Sequence, residues 1–498
     1  MKTNINRLIN ITLQSSLILI MAILPVACLE DKGNYDYLEL MEFRVDTVGV
    51  NQRLAVQQFN TLHVPSHLVY AGNKSELTYT WSLYKSGTGQ NDNPSILLST
   101  TEDFNEQITA KPGNYVLEFI AKNTNTGEIA GNRYTLTVES IVGIGLLVLY
   151  DKGGQADIDI VRTPVLNTAL TSSSITRNSY TKVNNTLIKG QARQLVYTSN
   201  YIYVFTDKTA IRLSNEDMTQ LDDFNSMFFH APEVEAPNHY GRLGFNSSNE
   251  ILINNGQVHF IALGNDNGKH YFPEPKIMQG DTYYAEAGTT VWGSGPFCFD
   301  SKGHRFIWCG LWSGEFLPCT DARLLNVNLD IVALYTGFRP NTNGSNAYAF
   351  FKNPSDSSKR TMMVIDATVN SSATVLLADI DISGCPEASE MQDIITTPNS
   401  PMFYYRSNKS VYVCPFSIDQ AVCTPPSTPL FTCGANETVT DIQLLNGNKI
   451  LAISTWDGTE GKLQLFNTDI ASGVTDSTPL ETFNGFGKIV DIQYKNAQ

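Results

Sequence analysis

The chain contains 498 residues and has a formal net charge of −15, from 49 acidic and 34 basic side chains. Nucleic acid and anionic lipid are therefore unsuited as main partners, because both repel an acidic surface. Only 17% of the residues are charged. This low fraction, together with abundant Asn, Ser, Thr and Gly, is typical of exported all-β proteins with many turns.

The first 27 residues have the layout of a secretory signal peptide. Lys2 and Arg7 form a short positive segment, and Leu8–Leu24 is largely apolar. Its uninterrupted apolar run, Leu17–Leu24, is far shorter than the ~20 residues that a membrane-spanning helix requires. We therefore predict that residues 1–27 are a targeting segment.

Ala27 followed by Cys28 resembles the lipobox of bacterial lipoproteins, in which the Cys is acylated and becomes the new N-terminus. An ordinary signal peptide with an incidental Cys is the alternative. Several acyl chains, at ~0.8 kcal/mol per buried CH2, would hold the protein on a bilayer. The pair Glu30-Asp31 resembles the export signal that places Bacteroidota lipoproteins on the outer face of the outer membrane, although a solvated charge pair would look the same. Residues 28–38 are then an acylated linker.

Residues 39–140 have the pattern of a small β-sandwich. In Leu77–Tyr84, apolar or aromatic residues alternate with more polar ones, which indicates a half-buried strand. The same alternation recurs from Tyr115 to Phe119 and from Tyr134 to Val138, with a turn at 123–127 before the last strand. About 100 residues of such strands predict an Ig-like domain.

Two motifs in this region resemble PKD domains: Pro112-Gly113-Asn114-Tyr115, and Tyr79-Thr80-Trp81 at the core Trp strand. Ser82-Leu83-Tyr84 replaces the usual Gly and Asp turn. Together with residues 28–37 they resemble the PKD-like family of Bacteroidota lipoproteins. The resemblance implies a surface lipoprotein, often encoded beside starch-utilisation-like outer-membrane uptake systems.

Residues 141–498 are repetitive. Val439–Leu444, Lys449–Ile453 and Lys462–Phe466 predict three strands, and Asn446-Gly447 is a strong hairpin signal. A similar layout starts at Gln191. More degraded copies start near Ile251, Phe297, Ala347 and Met402, and Gly145–Tyr150 adds a seventh unit. Units spaced by roughly 40 to 60 residues indicate a β-propeller, and their number indicates seven blades.

The chain end predicts how this propeller closes. Ile489–Tyr494 copies Val439–Leu444, yet no further strands follow it. We expect Leu146–Tyr150 and Asp157–Val161, at the start of the domain, to complete its sheet. Such closure removes sheet edges that would otherwise pair with other chains.

Motifs for catalysis or cofactor binding are missing: the sequence has no HExxH, GxSxG or P-loop. Asp157/Asp159 and Asp379/Asp381 each place two carboxylates on one strand face, which exposed strands do routinely. Seven cysteines follow residue 290, without zinc-type spacing. Disulfides such as 309/319 or 414/423 and buried thiols both remain open. We expect no catalytic residues, metal or cofactor.

The best candidates for ligand binding lie between residues 283 and 312, a stretch rich in aromatic residues and Gly. Aromatic faces pack against sugar C–H surfaces, and such clusters at the mouth of a propeller suit ligand capture. Core packing is the alternative, especially in the alternating strand around Trp308. The candidate residues are Tyr283, Tyr284, Trp292, His304, Trp308 and Trp312.

These observations favour a non-enzymatic surface lipoprotein. It would capture a nutrient for an associated outer-membrane uptake complex. A glycan is our first expectation for the ligand, and a peptide, vitamin or metal chelate fits almost as well. A propeller-type glycan hydrolase or lyase is the rival, and an adhesion or scaffold protein is a third possibility.

The acidic pair behind Cys28 makes the cell-surface location testable. Protease added to intact cells is expected to remove the propeller, because an outward-facing lipoprotein exposes it to the medium. Immunoblotting of the cells measures this loss, with a periplasmic protein as the control for intact membranes. Full protection of the propeller would instead place the protein inside the periplasm.

Overall fold

A computed structural model of the chain describes residues 42–87, 95–198, 200–242, 249–262, 270–291, 295–340, 346–367 and 374–495. The predictions for residues 1–38, including Cys28, and for Trp292 lie outside these ranges. In the described part, no helix is long and apolar enough to cross a membrane. The chain divides into two compact units, the second of which contains Ala55–Leu62, Gln107–Tyr115 and Leu136–Gln498.

Among the described residues, nine strands precede residue 140. They are β1 (Phe43–Val45), β2 (Arg53–Gln57), β3 (Thr61–Val64), β4 (Leu68–Tyr70), β5 (Leu77–Lys85), β6 (Ile96–Ser99), β7 (Phe104–Gln107), β8 (Gly113–Asn123) and β9 (Ile129–Glu139). A five-stranded sheet has the order β2-β9-β8-β5-β6, and β1-β4 and β3-β7 form two-stranded sheets. The predicted sandwich of short antiparallel strands is confirmed.

Trp81 is the centre of this sandwich. Its ring is fully buried, and the centroids of the Trp81 and Phe119 rings are 4.6 Å apart. The ring of Phe104 also packs against Trp81. The indole N–H donates to the backbone oxygen of Thr101 at 3.1 Å. The buried positions of β5 alternate as the sequence predicts, because successive side chains of a strand point to opposite faces.

The remaining strands build seven antiparallel sheets, which we call blades 1 to 7. Blade 1 contains β10 (Gly145–Asp151), β11 (Gln155–Arg162), β12 (Ser174–Thr176) and β13 (Ile188–Lys189), with helix α1 (Ser179–Asn184) before β13. Blade 2 contains β14 (Ala192–Tyr197), β15 (Tyr201–Thr206), β16 (Ala210–Ser214) and β17 (Gln220–Asp222). Blade 3 contains β18 (Pro237–Arg242), β19 (Glu250–Asn254) and β20 (Gln257–Ile261).

Blades 4 to 7 follow in chain order. Blade 4 contains β21 (Ala285–Thr290), β22 (Pro296–Asp300), β23 (Arg305–Cys309) and β24 (Phe316–Pro318). Blade 5 contains β25 (Asp330–Gly337), β26 (Asn346–Asn353), β27 (Asp356–Asp366) and β28 (Val375–Asp381). Blade 6 contains β29 (Gln392–Thr396), β30 (Met402–Arg406), β31 (Ser410–Ser417), β32 (Val422–Cys423) and β33 (Phe431–Thr432). Blade 7 contains β34 (Thr438–Leu445), β35 (Ile450–Trp456), β36 (Gly461–Asn467) and β37 (Glu481–Phe486).

Tight turns join these strands where the sequence predicts them. Asn446 and Gly447 have φ angles of 51° and 63° between β34 and β35, and Asn255-Gly256 has the same conformation between β19 and β20. Left-handed backbone is accessible to Gly and tolerated by Asn, and its twist matches that of the flanking strands. The Asn-Gly signals therefore mark hairpins in both blades.

The last strand, β38 (Lys488–Lys495), pairs with β10 and closes the propeller, as the sequence predicts. Its Ile492 lies opposite Val148 of β10. Seven apolar clusters fill the spaces between consecutive blades around the whole ring. One of them lies between blades 7 and 1. Leu146 faces blade 7 while Leu147 faces blade 2, which explains the continuous apolar run in β10. The fold is all-β, with a seven-bladed propeller after the sandwich.

Closure predicts that β38 is essential for stability. Ile492 is fully buried in the cluster between blades 7 and 1, so Ile492→Ala should lower the free energy of unfolding by about 2–5 kcal/mol. Deletion of residues 488–498 should lower the midpoint of thermal unfolding further. The exposed Lys488 on the same strand is the control, and Lys488→Ala should change stability by less than about 0.5 kcal/mol. An unchanged thermal transition after the deletion would refute closure.

Candidate functional site

The innermost strands of all seven blades line one central channel. They are β14, β18, β21, β25, β29, β34 and β38, and their residues enclose a cavity of about 720 Å3. This volume lies in the range of pockets that hold small ligands. The lining is mostly polar, with carboxylate, amide, hydroxyl and phenol groups from different blades.

Each innermost strand has an irregularity in its pairing with the next strand. The shifts lie at equivalent places, near the start of the strand, as in 192–194 of β14, 285–287 of β21 and 439–441 of β34. The other four innermost strands show the same feature. A β-bulge changes the direction of nearby side chains and is common beside active sites. Here the bulges lie on the strands that line the channel.

Three lining residues are carboxylates from consecutive blades: Asp393 in β29, Asp441 in β34 and Asp491 in β38. Asp441 and Asp491 are the first paired residues after their bulges. The repeated sequence Asp-Ile-Gln therefore places the same functional group at the same position of two adjoining strands. Acidic groups converge on one side of the channel as a result.

Asp491 connects two blades. Its Oδ2 accepts a hydrogen bond of 2.7 Å from the backbone N–H of Leu195 in blade 2. Burial raises the pKa of Asp491 to about 7, and Asp393 contributes in the same direction, while the Leu195 N–H opposes the shift. Near neutral pH this carboxyl group can both donate and accept a proton.

Asp441 is the most enclosed of the three carboxylates, with 7% of its surface exposed. Its Oδ2 has no hydrogen-bond partner among the described residues. Burial raises the pKa of Asp441 well above its ordinary value, and the charges of Asp491 and Asp393 raise it further. An unpartnered buried carboxylate oxygen is costly, so a ligand that donates a hydrogen bond here would relieve that cost.

Asp393 is exposed to the channel and forms an ion pair with Arg406, whose guanidinium also donates to the backbone oxygen of Val439. The φ angle of Asp393 is 39°, a left-handed conformation that is uncommon outside Gly. Such backbone strain concentrates at functional sites. Arg406 thus balances the charge of Asp393, and Asp441 and Asp491 line the same cavity.

Tyr335 from β25 contributes an aromatic surface to the channel. The side chain is 39% exposed although it lies within the ring of blades. Burial, followed by the charges of Asp393, Asp491 and Asp441, raises the pKa of its phenol, which therefore stays neutral. Gln443 and Gln493 add amide groups to the lining. The channel combines paired hydrogen-bond acceptors with amide donors and a ring face.

The structure separates the aromatic candidates of the 283–312 stretch. Tyr283 is buried, and its hydroxyl donates to the backbone oxygen of Lys276 and accepts from the N–H of Val258. Tyr284 lies beside the turn between β22 and β23, because its backbone oxygen accepts from the N–H of Ser301. The exposed His304 is in that same turn.

Trp308 and Trp312 differ in exposure. Trp308 is half-buried against the core between blades 4 and 5, and Trp312 is 69% exposed after the other end of β23. No described member of this aromatic set lines the central channel. Ligand binding by these residues stays a prediction, for two separate surfaces of blade 4.

Asp157 and Asp159 are buried and support α1. Asp159 accepts from the Arg177 guanidinium and the Asn178 backbone N–H, both at 2.7 Å, and Asp157 accepts from the Thr181 hydroxyl. Every one of these donors lies in or just before α1. The pair therefore fixes the connection between β12 and β13. The sequence pattern suggested an exposed strand face, but both side chains of this pair in β11 are buried.

The channel carboxylates were not among the residues predicted from sequence. Val439–Leu444 and Ile489–Tyr494 served only as evidence for repeated strands. The available signal was the Asp at the same position in both repeated strands, Asp441 and Asp491. A charged residue at a fixed position of an otherwise apolar strand does not face the apolar core. Gln392-Asp393-Ile394 is a weaker third copy.

Comparisons with known proteins agree with this fold. Residues 28–192 match the model of the PKD-like family. The structure is similar to a quinonprotein alcohol dehydrogenase-like protein from Bacteroides thetaiotaomicron, with 11% identity, a TM-score of 0.51, and coverage of 92% of this chain and 99% of that chain. At that identity the likeness shows the fold alone.

Two further similar structures are more distant. PorZ, a surface component of the type-IX secretion system of Porphyromonas gingivalis, has 10% identity, a TM-score of 0.35, and coverage of 74% of this chain and 51% of that chain. Hsv2p of Kluyveromyces lactis has 9% identity, a TM-score of 0.36, and coverage of 72% and 97%. No curated protein matches the sequence.

The raised pKa of Asp491 predicts how stability depends on pH. An unfolded Asp has a pKa of ~3.9, and the folded value is about 7, so the folded chain holds an extra proton between these values. The stabilisation that this proton contributes should be complete below pH ~4 and should be lost as pH rises through 7, by up to ~1.4 kcal/mol per pH unit. Asp491→Asn should flatten the pH profile of the free energy of unfolding in this window.

Urea unfolding at a series of pH values measures this effect. Asp419→Asn is the control, because Asp419 is an exposed carboxylate outside the channel. It should retain the slope of the unmodified protein. A slope in Asp491→Asn equal to that of the control would contradict the raised pKa.

Proposed function

We propose that the central channel binds a carbohydrate, and that the protein is a lipid-anchored surface protein which captures this ligand for an outer-membrane uptake complex. The observation that carries the proposal is the meeting of Asp393, Asp441, Asp491 and Tyr335 in one cavity of about 720 Å3. Asp441 supplies a buried oxygen without a partner among the described residues. Together these groups form an acceptor-rich, partly aromatic pocket.

Carbohydrate suits this chemistry because the pocket combines hydrogen-bond acceptors, hydrogen-bond donors and a ring face. Carboxyl oxygens accept hydrogen bonds from sugar hydroxyl groups, and a protonated carboxyl group also donates one. The Gln443 amide can donate to a ring or hydroxyl oxygen, and the face of Tyr335 packs on sugar C–H groups.

The sequence features at the N-terminus support the surface anchor. Cys28 after Ala27 resembles an acylation site, and Glu30-Asp31 resembles an outer-face export signal. The match of residues 28–192 to the PKD-like family supports the same view, since the resemblance to that family implies a surface lipoprotein. The sandwich would then separate the bilayer from the propeller.

A glycan hydrolase is the second candidate function, favoured by the raised pKa values of Asp441 and Asp491. A carboxyl group with a pKa near 7 beside a second carboxyl group can act with it as general acid and general base. Incubation of the mature protein with a glycan panel distinguishes the two functions. Shortened products that disappear in Asp491→Asn would establish hydrolysis, whereas retention without turnover supports binding alone.

Substitution of Asp441 tests the channel as the binding site. With a glycan retained from the panel, isothermal titration calorimetry should show that Asp441→Asn weakens affinity about 2- to 13-fold, which corresponds to the ~0.5–1.5 kcal/mol of a hydrogen bond between uncharged groups, because the raised pKa of Asp441 keeps its carboxyl group neutral. Asp419→Asn is the matched control and should bind like the unmodified protein.

Trp312→Ala separates this site from the aromatic stretch of blade 4. Trp312 is exposed outside the channel, so its loss should leave affinity unchanged. If Trp312→Ala abolishes binding while Asp441→Asn does not, the ligand site is the surface of blade 4 and the channel proposal is wrong.

A further inference from the structure

Three cysteines from separate segments converge between blades 5 and 6. Cys385 follows β28, Cys414 is in β31 and Cys423 is in β32. Their sulfur atoms all lie within 4.8 Å of one another, and the Sγ atoms of Cys385 and Cys414 are 3.5 Å apart. In the described part of the chain this is the one group of three or more His, Cys, Asp or Glu side chains close enough to share a metal ion.

Contacts of the backbone fix the segments that carry Cys385 and Cys423. The backbone N–H of Cys385 donates to the oxygen of Ile382 at 3.1 Å, which makes a turn after β28. The Tyr405 hydroxyl donates to the backbone oxygen of Pro386 at 2.8 Å and fixes that turn against blade 6. Cys423 is paired with Phe416 across β31 and β32. The arrangement is built from the β31–β32 hairpin and the turn that follows β28.

We propose that Cys385, Cys414 and Cys423 bind one Cu(I) ion through their three sulfur atoms. Thiolates are soft ligands that select Cu(I), zinc and iron–sulfur clusters. Structural zinc sites are almost always four-coordinate, and no His, Asp, Glu or further Cys side chain joins this group among the described residues. Three sulfurs without a fourth ligand suit Cu(I).

The surroundings suit a protected site with one accessible side. Cys385 and Cys414 are buried, and Cys423 is half-buried, so an ion can reach the sulfurs past Cys423. The apolar cluster that contains Phe403, Tyr405 and Phe416 lies on the inner side. An apolar shell limits the access of water and oxidants to a bound metal.

A disulfide between Cys385 and Cys414 is the competing use of these residues. It would require an oxidant, would remove two thiol protons and two electrons, and would leave Cys423 as a lone thiol. The metal site instead uses all three side chains, which explains why Cys423 belongs to the group. The sequence suggested 414/423 or 309/319 as disulfides, but all seven described cysteines are free, and Cys309 and Cys319 belong to different core clusters.

Copper loading of the mature full chain tests the proposal. Reduced protein receives Cu(I) without oxygen, passes over a Cu(I)-selective chelator, and is analysed for copper per chain. We expect one copper ion per chain. Bound copper should also slow alkylation of Cys423 by iodoacetamide about tenfold or more, because a coordinated sulfur is not a free nucleophile. This second measurement needs no substitution and is independent of any effect on folding.

The Cys423→Ser variant should lose its copper to the same chelator. Thermal unfolding checks that this variant is folded. Cys319→Ser is the matched control and should retain one copper, because Cys319 is buried in another cluster, where burial raises the pKa of its thiol to about 12. Equal copper loss in Cys319→Ser or unchanged alkylation of Cys423 would overturn the proposal. So would retention of Zn(II) in place of copper, or a 385–414 disulfide in protein isolated from cells.

Discussion

The antiparallel pairing of β38 with β10 joins the last strand of the chain to the first sheet of the propeller. The apolar cluster between blades 7 and 1 forms only when this pairing is made, because it contains Leu146 and Val148 from β10 and Ile489 and Ile492 from β38. Without it, two sheets would expose edges and apolar faces. The pairing also fixes the positions of the innermost strands, and hence the shape of the channel.

The candidate site depends on the same closure. Asp491 belongs to β38, and it meets the Leu195 N–H of blade 2 and shares the channel with Asp441 of blade 7. Asp441 and Asp491 are buried in a channel whose lining is mostly polar. Burial, together with repulsion from neighbouring carboxylates, raises the pKa values of Asp441 and Asp491. A stability cost is therefore built into the channel, as is common where a protein prepares a site for a ligand.

The sequence was sufficient to predict the sandwich, the repeats and the closing strand. Their signals are local, namely apolar alternation around Trp81 and the Asn446-Gly447 hairpin, or repeated, as in the copy of Val439–Leu444 at the chain end. The channel was missed because its residues are distant in sequence and are brought together by blade packing. The bulges that direct Asp441 and Asp491 inward leave no signature in composition. The aromatic residues near Trp308 were conspicuous in sequence, yet that side chain packs partly against the core.

We propose that the ligand binds in the central channel and not on an outer surface of the propeller. The most direct measurement is a crystal structure of the mature chain with a carbohydrate that it retains. Density for the sugar is expected within hydrogen-bond distance of Asp441 Oδ2, with a ring face against Tyr335. Density for the sugar beside Trp312 or Tyr284, with an empty channel, would contradict it.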